Sequence, residues 1–406
     1  MDKLLMLGGS PFIIPVIEAA HNLGCYVIIC DYNENNIAKN YADEYRNISV
    51  LDKEKILNFA KKEKIKGIMS FACDLGVTTA AYVAEKLSLP SVGSYESVCI
   101  LQNKSLFREF LKKNGFNVPY AKAYGSYEEL LKDDSLPEFP VIVKPTDSAG
   151  SRGVSRVDCF EQLEKSVVNA LRFSNEQKFI VEKFVEKEGC SSDTDCFSVN
   201  GELVFVSFSN QIFDETSQNP YAPAAYSWPS SIDECFQHEL KKEIQRLINL
   251  LKLDTSVYNV ETRVGTDGKA YIMELTPRGG GNRLSEMIRY STGVDLVTNA
   301  VRAAMGIPII DVEQREYKGN WAIIILHSAQ KGFFENIDIS SEISSFVVKH
   351  DLWIRQGDYI DGFSGGNDAI GTLIFDFPDN ELRQRVLNNI ESYIKIEMQD
   401  ESRSRR

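Results

Sequence analysis

The stretch AYIMELTPRGGGNRL, residues 270–284, places one carboxylate inside an apolar run and follows it with proline, arginine and three glycines. The simplest interpretation is a buried strand with Glu274 near its edge and a glycine-rich turn after it. A carboxylate is seldom buried unless it is paired. The stretch therefore predicts that Glu274 has a cationic partner.

The preceding residues suggest what that cation is. YNVETRVGTDGKAYIMEL, residues 258–275, predicts a hairpin that turns at Asp267 and Gly268. Glu261 lies six residues before Asp267 and Glu274 six residues after Gly268, so the two carboxylates are cross-strand partners or nearly so. Like charges directly opposite each other destabilise a sheet. Either one carboxyl is protonated or a cation lies between them, and we favour Mg²⁺, which carboxylates and substrate phosphates commonly hold together.

Length and composition limit the function classes. The chain has 406 residues, which predicts two or three domains, and a net charge of −13, which argues against nucleic acid or an anionic membrane surface as a partner. Eight cysteines without a C-x-x-C pair are typical of reduced thiols, and neither a signal peptide nor an apolar run of membrane-spanning length is present. We expect a cytoplasmic protein. Four scattered histidines give little support to a zinc site, so any metal is expected to have oxygen ligands.

The order of strand and helix patterns predicts a chain of mixed class, α/β and α+β. Alternating strands and helices over 1–95 predict a parallel α/β domain, although GGSPF is not a full dinucleotide-binding fingerprint. Residues 96–120 are expected to be a linker, with one amphipathic helix over 97–115. Two hairpins, which turn at Asn200–Gly201 and at Asp267–Gly268, are mixed with helices and predict an α+β region over 121–310, with lobes 121–185 and 186–310. A small α/β domain, closed by a helix at 380–396, is expected over 311–406.

Two further segments suggest binding functions. Lys144 ends the apolar run VIVK, and DSAGSRG, residues 147–153, is a glycine- and serine-rich loop whose N–H groups can close over phosphates. FDETSQNPYAPAAYSWPSSI, residues 213–232, lacks regular periodicity and is predicted to be a long loop. Its four aromatic residues either pack over an acceptor substrate or belong to a surface loop, and the two interpretations are equally supported.

Taken in order, several of these motifs resemble the ATP-grasp superfamily of ATP-dependent ligases, of the carboxylate-amine ligase type. They are VIVKP, the Gly/Ser-rich loop, IVEKFV, the acidic hairpin and MELTPRGGG. SEMIRYSTGVDLV is similar to the segment after the catalytic arginine of biotin carboxylase and carbamoyl phosphate synthetase, and GNWAIIILHSAQKGFF is similar to ligases that join amino acids. The resemblance implies an ATP-grasp fold with an N-terminal parallel α/β (pre-ATP-grasp) domain and a small C-terminal α/β cap.

The resemblance also implies the residues of a site for ATP and Mg²⁺ or Mn²⁺. The residues that would contact the nucleotide phosphates are Lys104, Lys144, Ser148, Ser151 and Gly153. The hinge beside adenine comprises Glu182, Lys183, Phe184 and Val185, and the ribose is assigned to Glu188, with Ser191 as the other candidate. The metal ligands are Glu261, Glu274 and Thr276, and the catalytic residues are Arg278 and Lys144. Substrate contacts fall to Gly280, Asn282 and Arg283.

Two positions depart from the family pattern. Thr276 stands where relatives have an asparagine ligand, and Asn282 stands where biotin carboxylase has the glutamate that acts as base toward bicarbonate. An amide does not accept a proton at neutral pH, so Asn282 argues against bicarbonate activation by that route.

The expected activity is therefore an ATP- and Mg²⁺-dependent ligase that joins a small-molecule carboxylate, such as an amino acid, to an amine. The acyl-phosphate intermediate would be consumed with release of ADP and phosphate. Two alternatives stay open: a carboxyphosphate-forming carboxylase of the purine type, and an ATP-binding protein without catalysis. A homodimer is common among relatives and is a further expectation, and the acid and the amine are not identified.

Overall fold

A computed structural model describes residues 1–217, 219–363 and 365–399, which form two compact units. The first unit contains residues 1–149, 153–207 and 232–316, and the second contains residues 150–152, 208–231 and 317–406. The domain boundaries expected from the sequence, near 95, 120 and 310, stay predictions. Of the expected C-terminal domain, residues 400–406 lie outside the described residues.

The first unit begins with alternating strands and helices. They are β1 (Lys3–Leu7), α1 (Ile14–Asn22), β2 (Tyr26–Asp31), β3 (Glu44–Asn47), α2 (Lys53–Glu63), β4 (Gly67–Ser70) and α3 (Asp74–Leu87). The four strands form the predicted parallel sheet, and their order is β3-β2-β1-β4. Leu4 of β1 packs in the cluster that contains Val16 of α1, whereas Leu5 packs with Ile56 of α2. Successive residues of β1 thus serve opposite faces, and helices cover both.

The linker contains two helices, so the prediction of one helix over 97–115 is wrong. They are α4 (Tyr95–Gln102) and α5 (Lys104–Lys113). Asn103 between them is extended, with φ −107° and ψ 114°, and its side-chain oxygen accepts hydrogen bonds from the N–H groups of Ser105 (3.1 Å) and Leu106 (3.2 Å). Asparagine favours this capping position over a helix interior. The cap makes Lys104 the first residue of α5.

The next segment is an antiparallel sheet with helices. Its elements are β5 (Ala121–Tyr124), α6 (Tyr127–Leu131), β6 (Val141–Pro145), β7 (Ser155–Val157), α7 (Leu163–Arg172) and β8 (Phe179–Lys183). The strand order is β5-β8-β6-β7. Ile142 pairs with Glu182 and Lys144 pairs with Ile180, so Lys144 and Glu182 lie on the same face of adjacent strands.

Two predicted hairpins and three helices follow. The elements are β9 (Ser192–Val199), β10 (Glu202–Phe205), β11 (Asn210–Phe213), β12 (Pro223–Trp228), α8 (Glu234–Leu250), β13 (Ser256–Val264), β14 (Ala270–Thr276), α9 (Leu284–Thr292) and α10 (Leu296–Met305). The hairpins β9–β10 and β13–β14 join into one antiparallel sheet in the order β10-β9-β13-β14. Their turns at Asn200–Gly201 and Asp267–Gly268 confirm the prediction.

The second unit is rich in strands. Its later elements are β15 (Asn320–Leu326), β16 (Gly332–Ile339), β17 (Val347–Leu352), β18 (Tyr359–Ile360), β19 (Gly371–Phe377), α11 (Asn380–Leu387), α12 (Ile390–Tyr393) and β20 (Ile394–Met398). Strands β15, β17 and β19 join β11 and β12 in a sheet of order β11-β12-β15-β19-β17, and the other three strands form a second sheet of order β18-β16-β20. The prediction of one closing helix over 380–396 is wrong at its end. Residues 394–398 form a strand that pairs with β16.

The predicted loop over 213–232 is also partly wrong. Residues 223–228 form β12, which pairs with β15, and the side chains of Tyr226 and Trp228 are fully buried. Both faces of this strand are covered, so its sequence lacks the polar alternation by which a strand is recognised. The two aromatic residues are core residues of the second unit. Residue 218 of this segment lies outside the described residues.

Candidate functional site

The centre of the candidate site is the polar face of the β10-β9-β13-β14 sheet. Glu261 of β13 and Glu274 of β14 are direct cross-strand partners, as the distances from the turn predicted, and the register shifts immediately after Glu261. Each side chain is about one-third exposed, at 33% and 35%. Two carboxylates therefore face the same space without being sealed from solvent.

The positive charges near Glu261 and Glu274 only partly neutralise the two carboxylates. Burial raises the pKa of Glu261, the nearby negative charge of Glu274 raises it further, and Arg263 opposes both effects. Arg263 Nη2 lies 4.0 Å from Glu261, and Lys104 Nζ lies 3.8 Å from Glu274. These separations exceed ordinary hydrogen-bond lengths. The pair thus favours an additional cation.

A metal at this position would need further ligands from outside the protein. In the part of the chain that the structure describes, no cluster of three or more His, Cys, Asp or Glu side chains is arranged to hold a metal ion. Two carboxylate oxygens nevertheless fit Mg²⁺, which often takes one or two carboxylates and completes its shell with phosphate oxygens and water. Thr276 lies two residues after Glu274 on the same face, opposite Asn259, and is 1% exposed.

Strand β9 brings two acidic residues to this face that the sequence reasoning missed. Asp193 pairs with Glu261 and Asp195 pairs with Asn259. Asn259 Nδ2 donates to Asp193 Oδ1 at 2.8 Å and to Asp195 Oδ1 at 3.2 Å. The alternation of aspartates in SSDTDCF was the available signal. Asp193, Glu261 and Glu274 thus form one row across three strands.

A buried ion network lies between α5 and the β5-β8-β6-β7 sheet. Lys144 Nζ is 2.7 Å from Glu182 Oε2, and Arg108 Nε is 2.8 Å from Glu182 Oε1. Burial raises the pKa of Glu182, but the charges of Arg108 and Lys144 outweigh it and bring the pKa down to about 2. Burial lowers the pKa of Lys144, against the effect of Glu182. The carboxylate predicted to sit beside adenine is thus paired with two cations.

Arg108 was not predicted to take part in this site. It lies on the apolar face of α5 between the buried Phe107 and Leu111, and Nη1 also donates to the carbonyl of Met273 at 2.8 Å. A charged residue in an otherwise apolar helix face is the signal that identifies it, because such a residue needs a buried partner.

The predicted hinge, residues 182–185, lies beside the end of β13. Lys183 Nζ donates to the carbonyl of Glu138 at 2.7 Å, and the N–H of Phe184 donates to Pro140 at 3.2 Å. The carbonyl of Val185 accepts from Arg263 Nη1 at 3.2 Å. Next along the chain, the N–H of Glu188 donates to Val264 at 2.9 Å, and Ser191 is fully buried. The hinge is thereby tied to β13, the strand that carries Glu261.

The glycine- and serine-rich loop is divided between the two units. In the first unit, the Ser148 carbonyl accepts from Lys104 Nζ at 2.8 Å, and Gly153 has φ +72°. A Cβ atom at Gly153 would lie 3.0 Å from the Phe173 ring, so a side chain is excluded there. In the second unit, Ser151 Oγ donates to the carbonyl of Tyr221 at 3.0 Å. The three predicted loop residues therefore have separate local partners.

The first unit contains a cavity of 430 Å³ beside Glu274. Its polar lining includes Asp74, Lys104, Asp147, Ser148, Glu176 and Glu274. The cavity borders one carboxylate of the pair, one predicted phosphate-binding lysine and one predicted loop residue. A ligand of moderate size has room next to these three groups.

Arg278 is held by an acidic partner that the sequence did not reveal. Its Nε and Nη2 atoms lie 2.8 Å and 2.6 Å from Asp74 Oδ1 at the start of α3, and Nη1 donates to the carbonyl of Gly279 at 3.1 Å. The guanidinium, which is nearly buried, therefore has a fixed orientation.

The three predicted substrate-contact residues lie between β14 and α9. The N–H of Gly280 donates to Asp195 Oδ1 at 2.9 Å. Asn282 and Arg283 have φ of +52° and +64°, and Arg283 Nη1 lies 2.7 Å from Glu286 Oε2. Arg283 immediately precedes α9.

Comparison with known proteins relates one segment of the chain to a known domain family. Residues 137–286 match the family model of the ATP-grasp domain. The chain contains an ATP-grasp domain. This match covers both hinge and acidic hairpin, so the resemblance stated from the sequence is confirmed, and so is the mixed fold with a parallel N-terminal sheet and antiparallel sheets.

The proteins similar to this chain are distant in sequence. The carbamoyl phosphate synthase large chain of Thermotoga neapolitana is 26% identical over 319 residues, which cover 75% of this chain and 28% of that protein. The L-amino acid ligase from Bacillus licheniformis superposes with a TM-score of 0.81 at 20% identity, covering 98% of this chain and 99% of that one.

A third similar structure was solved with nucleotide. It is the biotin carboxylase domain dimer of the Hydrogenobacter thermophilus 2-oxoglutarate carboxylase, in complex with MgADP, ADP and bicarbonate. Its TM-score is 0.73 at 18% identity, covering 98% of this chain and 90% of that one. At such identities the two structural likenesses show the fold alone. Within residues 1–217, 219–363 and 365–399, no helix has the length and apolar character needed to cross a bilayer.

Proposed function

We propose that this ATP-grasp protein is an ATP- and Mg²⁺-dependent ligase that joins a small carboxylic acid, such as an amino acid, to an amine. The observation that carries the proposal is the direct pairing of Glu261 with Glu274, beside Lys104, in a chain with an ATP-grasp domain. A pair of like charges at one register is costly without a cation, and Mg²⁺ with nucleotide phosphates supplies both the charge and the missing ligands.

The metal proposal fits the oxygen donors present. Glu261 and Glu274 would hold the ion, with Thr276 as a further oxygen donor on the same face. When bound, Mg²⁺ neutralises charge on the phosphate oxygens of ATP during transfer.

The proposed reaction has two steps. A carboxylate oxygen of the acid attacks the γ-phosphorus of ATP, and ADP leaves, which gives an acyl-phosphate. The amine nitrogen then attacks the acyl carbon, phosphate leaves, and the nitrogen loses a proton. Lys104 and Lys144 would stabilise the phosphates and Arg278 the transferring group, because fixed cations stabilise charge that gathers in the transition state.

The two alternatives have weaker support. A carboxylase of the purine type would need a base toward bicarbonate, and the amide of Asn282 is not one. A binding protein without catalysis would not need Lys144, Glu261, Glu274 and Arg278 together. We infer a ligase in preference to both.

A phosphate-release screen tests the proposal. The protein is incubated with ATP, Mg²⁺ and amino acids or small carboxylates, singly and in pairs. Release that needs both an acid and an amine would support ligation. Release that depends on bicarbonate would favour the carboxylase, and binding of ATP without release with any acid would favour the binding protein.

Glu274→Gln serves as the site variant in that screen. Loss of one of two metal carboxylates is expected to lower phosphate release by at least about 100-fold, on the scale of removing one group that stabilises the transition state. Glu243→Gln, in a solvent-accessible ion pair of α8 with Arg246, is the matched control and should release phosphate at the parent rate. Equal rates for Glu274→Gln and the parent would disprove the metal assignment.

Two features of the assembly and location are also proposed. We infer a homodimer, supported by the dimeric biotin carboxylase domain among the similar structures, and sedimentation equilibrium tests it.

We infer a cytoplasmic location, which the eight free thiols support, because disulfides are uncommon in that compartment.

A further inference from the structure

Asp195 is a buried carboxylate that anchors the loop after β14. It lies on β9 with no exposed surface, and it accepts hydrogen bonds from the N–H of Gly280 at 2.9 Å, from Asn259 Nδ2 at 3.2 Å and from the hydroxyl of Ser285. Gly280 is in the loop 277–283, Asn259 is on the metal-facing strand β13, and Ser285 is in the first turn of α9. One carboxylate therefore joins three elements.

The loop is also fixed on its other side. Arg278 is paired with Asp74, and the carbonyl of Gly279 accepts from the N–H of Ala72 at 3.0 Å. A Cβ atom at Gly280 would lie 2.9 Å from Asp195 Oδ1, so the close approach of the loop to β9 depends on glycine. Residues 278, 279 and 280 are thus each held by a different partner.

Stability alone does not explain why a carboxylate occupies position 195. The burial of a charged group carries a large desolvation penalty, and a well-packed apolar residue often stabilises the fold as much or more. The hydrogen-bonding partners of Asp195 belong to the segment that connects β14 with α9 and to the strand beside it. This arrangement is expected of a group that maintains a loop conformation.

We propose that Asp195 is a positioning residue for the carboxylic acid substrate, acting through the N–H of Gly280 and thereby through the orientation of residues 278–281. The proposal rests on the ligase function proposed above. It assigns acid binding to residues 279–281, next to Arg278, which would stabilise the transferring group, and it assigns nucleotide binding to the lysines and the carboxylate pair. Loss of Asp195 should therefore affect the acid and leave ATP binding nearly unchanged.

The test compares Asp195→Ala and Asp195→Asn with the parent and with Ser198→Ala. Ser198 is a matched control, because it is a fully buried polar residue of the same strand whose hydroxyl bonds to Asp254 and Tyr258, away from the loop. Each protein is assayed for amide hydrogen exchange of residues 277–283 and for the KM of the acid, the KM of ATP and kcat. Exchange needs no substrate, so it tests the anchor independently of the ligase function.

Asp195→Ala should speed exchange at Gly280 and raise the KM of the acid by about 10-fold or more, as expected for loss of a hydrogen bond to a charged group. The KM of ATP should stay within about twofold. Asp195→Asn keeps an oxygen for the Gly280 N–H and should recover most of the exchange protection and part of the KM. Ser198→Ala should change none of these values.

Three results would overturn the proposal. Unchanged exchange at Gly280 in both folded Asp195 variants would show that the carboxylate does not hold the loop. Equal rises in the KM of acid and ATP would show a general structural role, as would the same changes in Ser198→Ala. If the parent releases no phosphate with any acid, the ligase function fails, while faster exchange in Asp195→Ala would still support the anchor itself.

Discussion

The carboxylate of Glu182 has two buried cationic neighbours, and its removal should be costly. Glu182→Gln leaves the charges of Arg108 and Lys144 without their partner, so we expect the free energy of unfolding to fall by about 3–5 kcal/mol. Urea titration measures the change. Glu186→Gln, whose side chain is 55% exposed near Arg156, is the control and should change stability by less than about 0.5 kcal/mol. Similar losses in both variants would contradict the burial argument.

The same network predicts a dependence of stability on pH. The pKa of Glu182 is about 2 in the folded protein, below the ordinary value of about 4.3, so the unfolded chain takes up this proton first as the pH falls. The contribution, about 3 kcal/mol, is complete above the unfolded pKa and is lost as the pH falls through the folded one. The stability difference between parent and Glu182→Gln should therefore shrink to roughly half by pH 3. A difference that stays constant from pH 7 to pH 3 would disprove the lowered pKa.

Single residues show what the sequence could predict at this scale. The pairing of Glu261 with Glu274 followed from counting residues to the Asp267–Gly268 turn, because a short hairpin sets its own register. The pairing of Arg278 with Asp74 could not be predicted, because 204 residues separate them and no local pattern links them. Contacts of that kind depend on how the elements pack.

At the scale of elements, the loop between β14 and α9 differs in how strongly packing requires glycine at each position, and Gly279 and Gly281 show the contrast. A Cβ atom at Gly279 would lie 2.1 Å from the ring of Phe71, whereas one at Gly281 would lie 3.4 Å from Phe12. We expect Gly279→Ala to reduce the free energy of unfolding by about 1–3 kcal/mol through overpacking. Gly281→Ala should change it by less than about 0.5 kcal/mol, and thermal unfolding compares the two. Equal effects would contradict the close packing of Gly279 against Phe71.

Elements with a clear pattern were predictable and those without one were not. The parallel strands β1, β2 and β4 were found because short apolar runs alternate with helical patterns, and the two hairpins were found because each turns at an Asn-Gly or Asp-Gly pair. The break at Asn103 was missed because apolar periodicity continues across it. Strand β12 was missed because both of its faces are buried, so periodicity gave no signal.

At the scale of the whole molecule, the second unit depends on distant segments. Strand β12 lies between β11 and β15, and its Tyr226 and Trp228 are fully buried. A chain that stops at residue 316 keeps β11 and β12 but lacks β15, so it exposes an unpaired, apolar strand edge. We expect this truncated chain to aggregate, as measured by light scattering and the soluble fraction.

A second truncation serves as its control. Replacing residues 208–231 of the 1–316 chain by a short glycine-serine linker removes the unpaired hairpin along with the rest of the second unit. This variant should be more soluble than the first truncation. If both chains aggregate equally, exposure of β12 is not the cause.

The large sequence separation between strands of the second unit's main sheet also affects the order in which they are synthesised. Strand β12 ends at residue 228, yet β19, on the far side of β15 in the same sheet, begins at residue 371. At the usual synthesis rate of about 5–20 residues per second, the ribosome needs roughly 7–30 s to bridge that gap. Throughout this interval the newly made hairpin has no complete sheet to join, so its apolar residues are a natural target for chaperones that bind nascent chains.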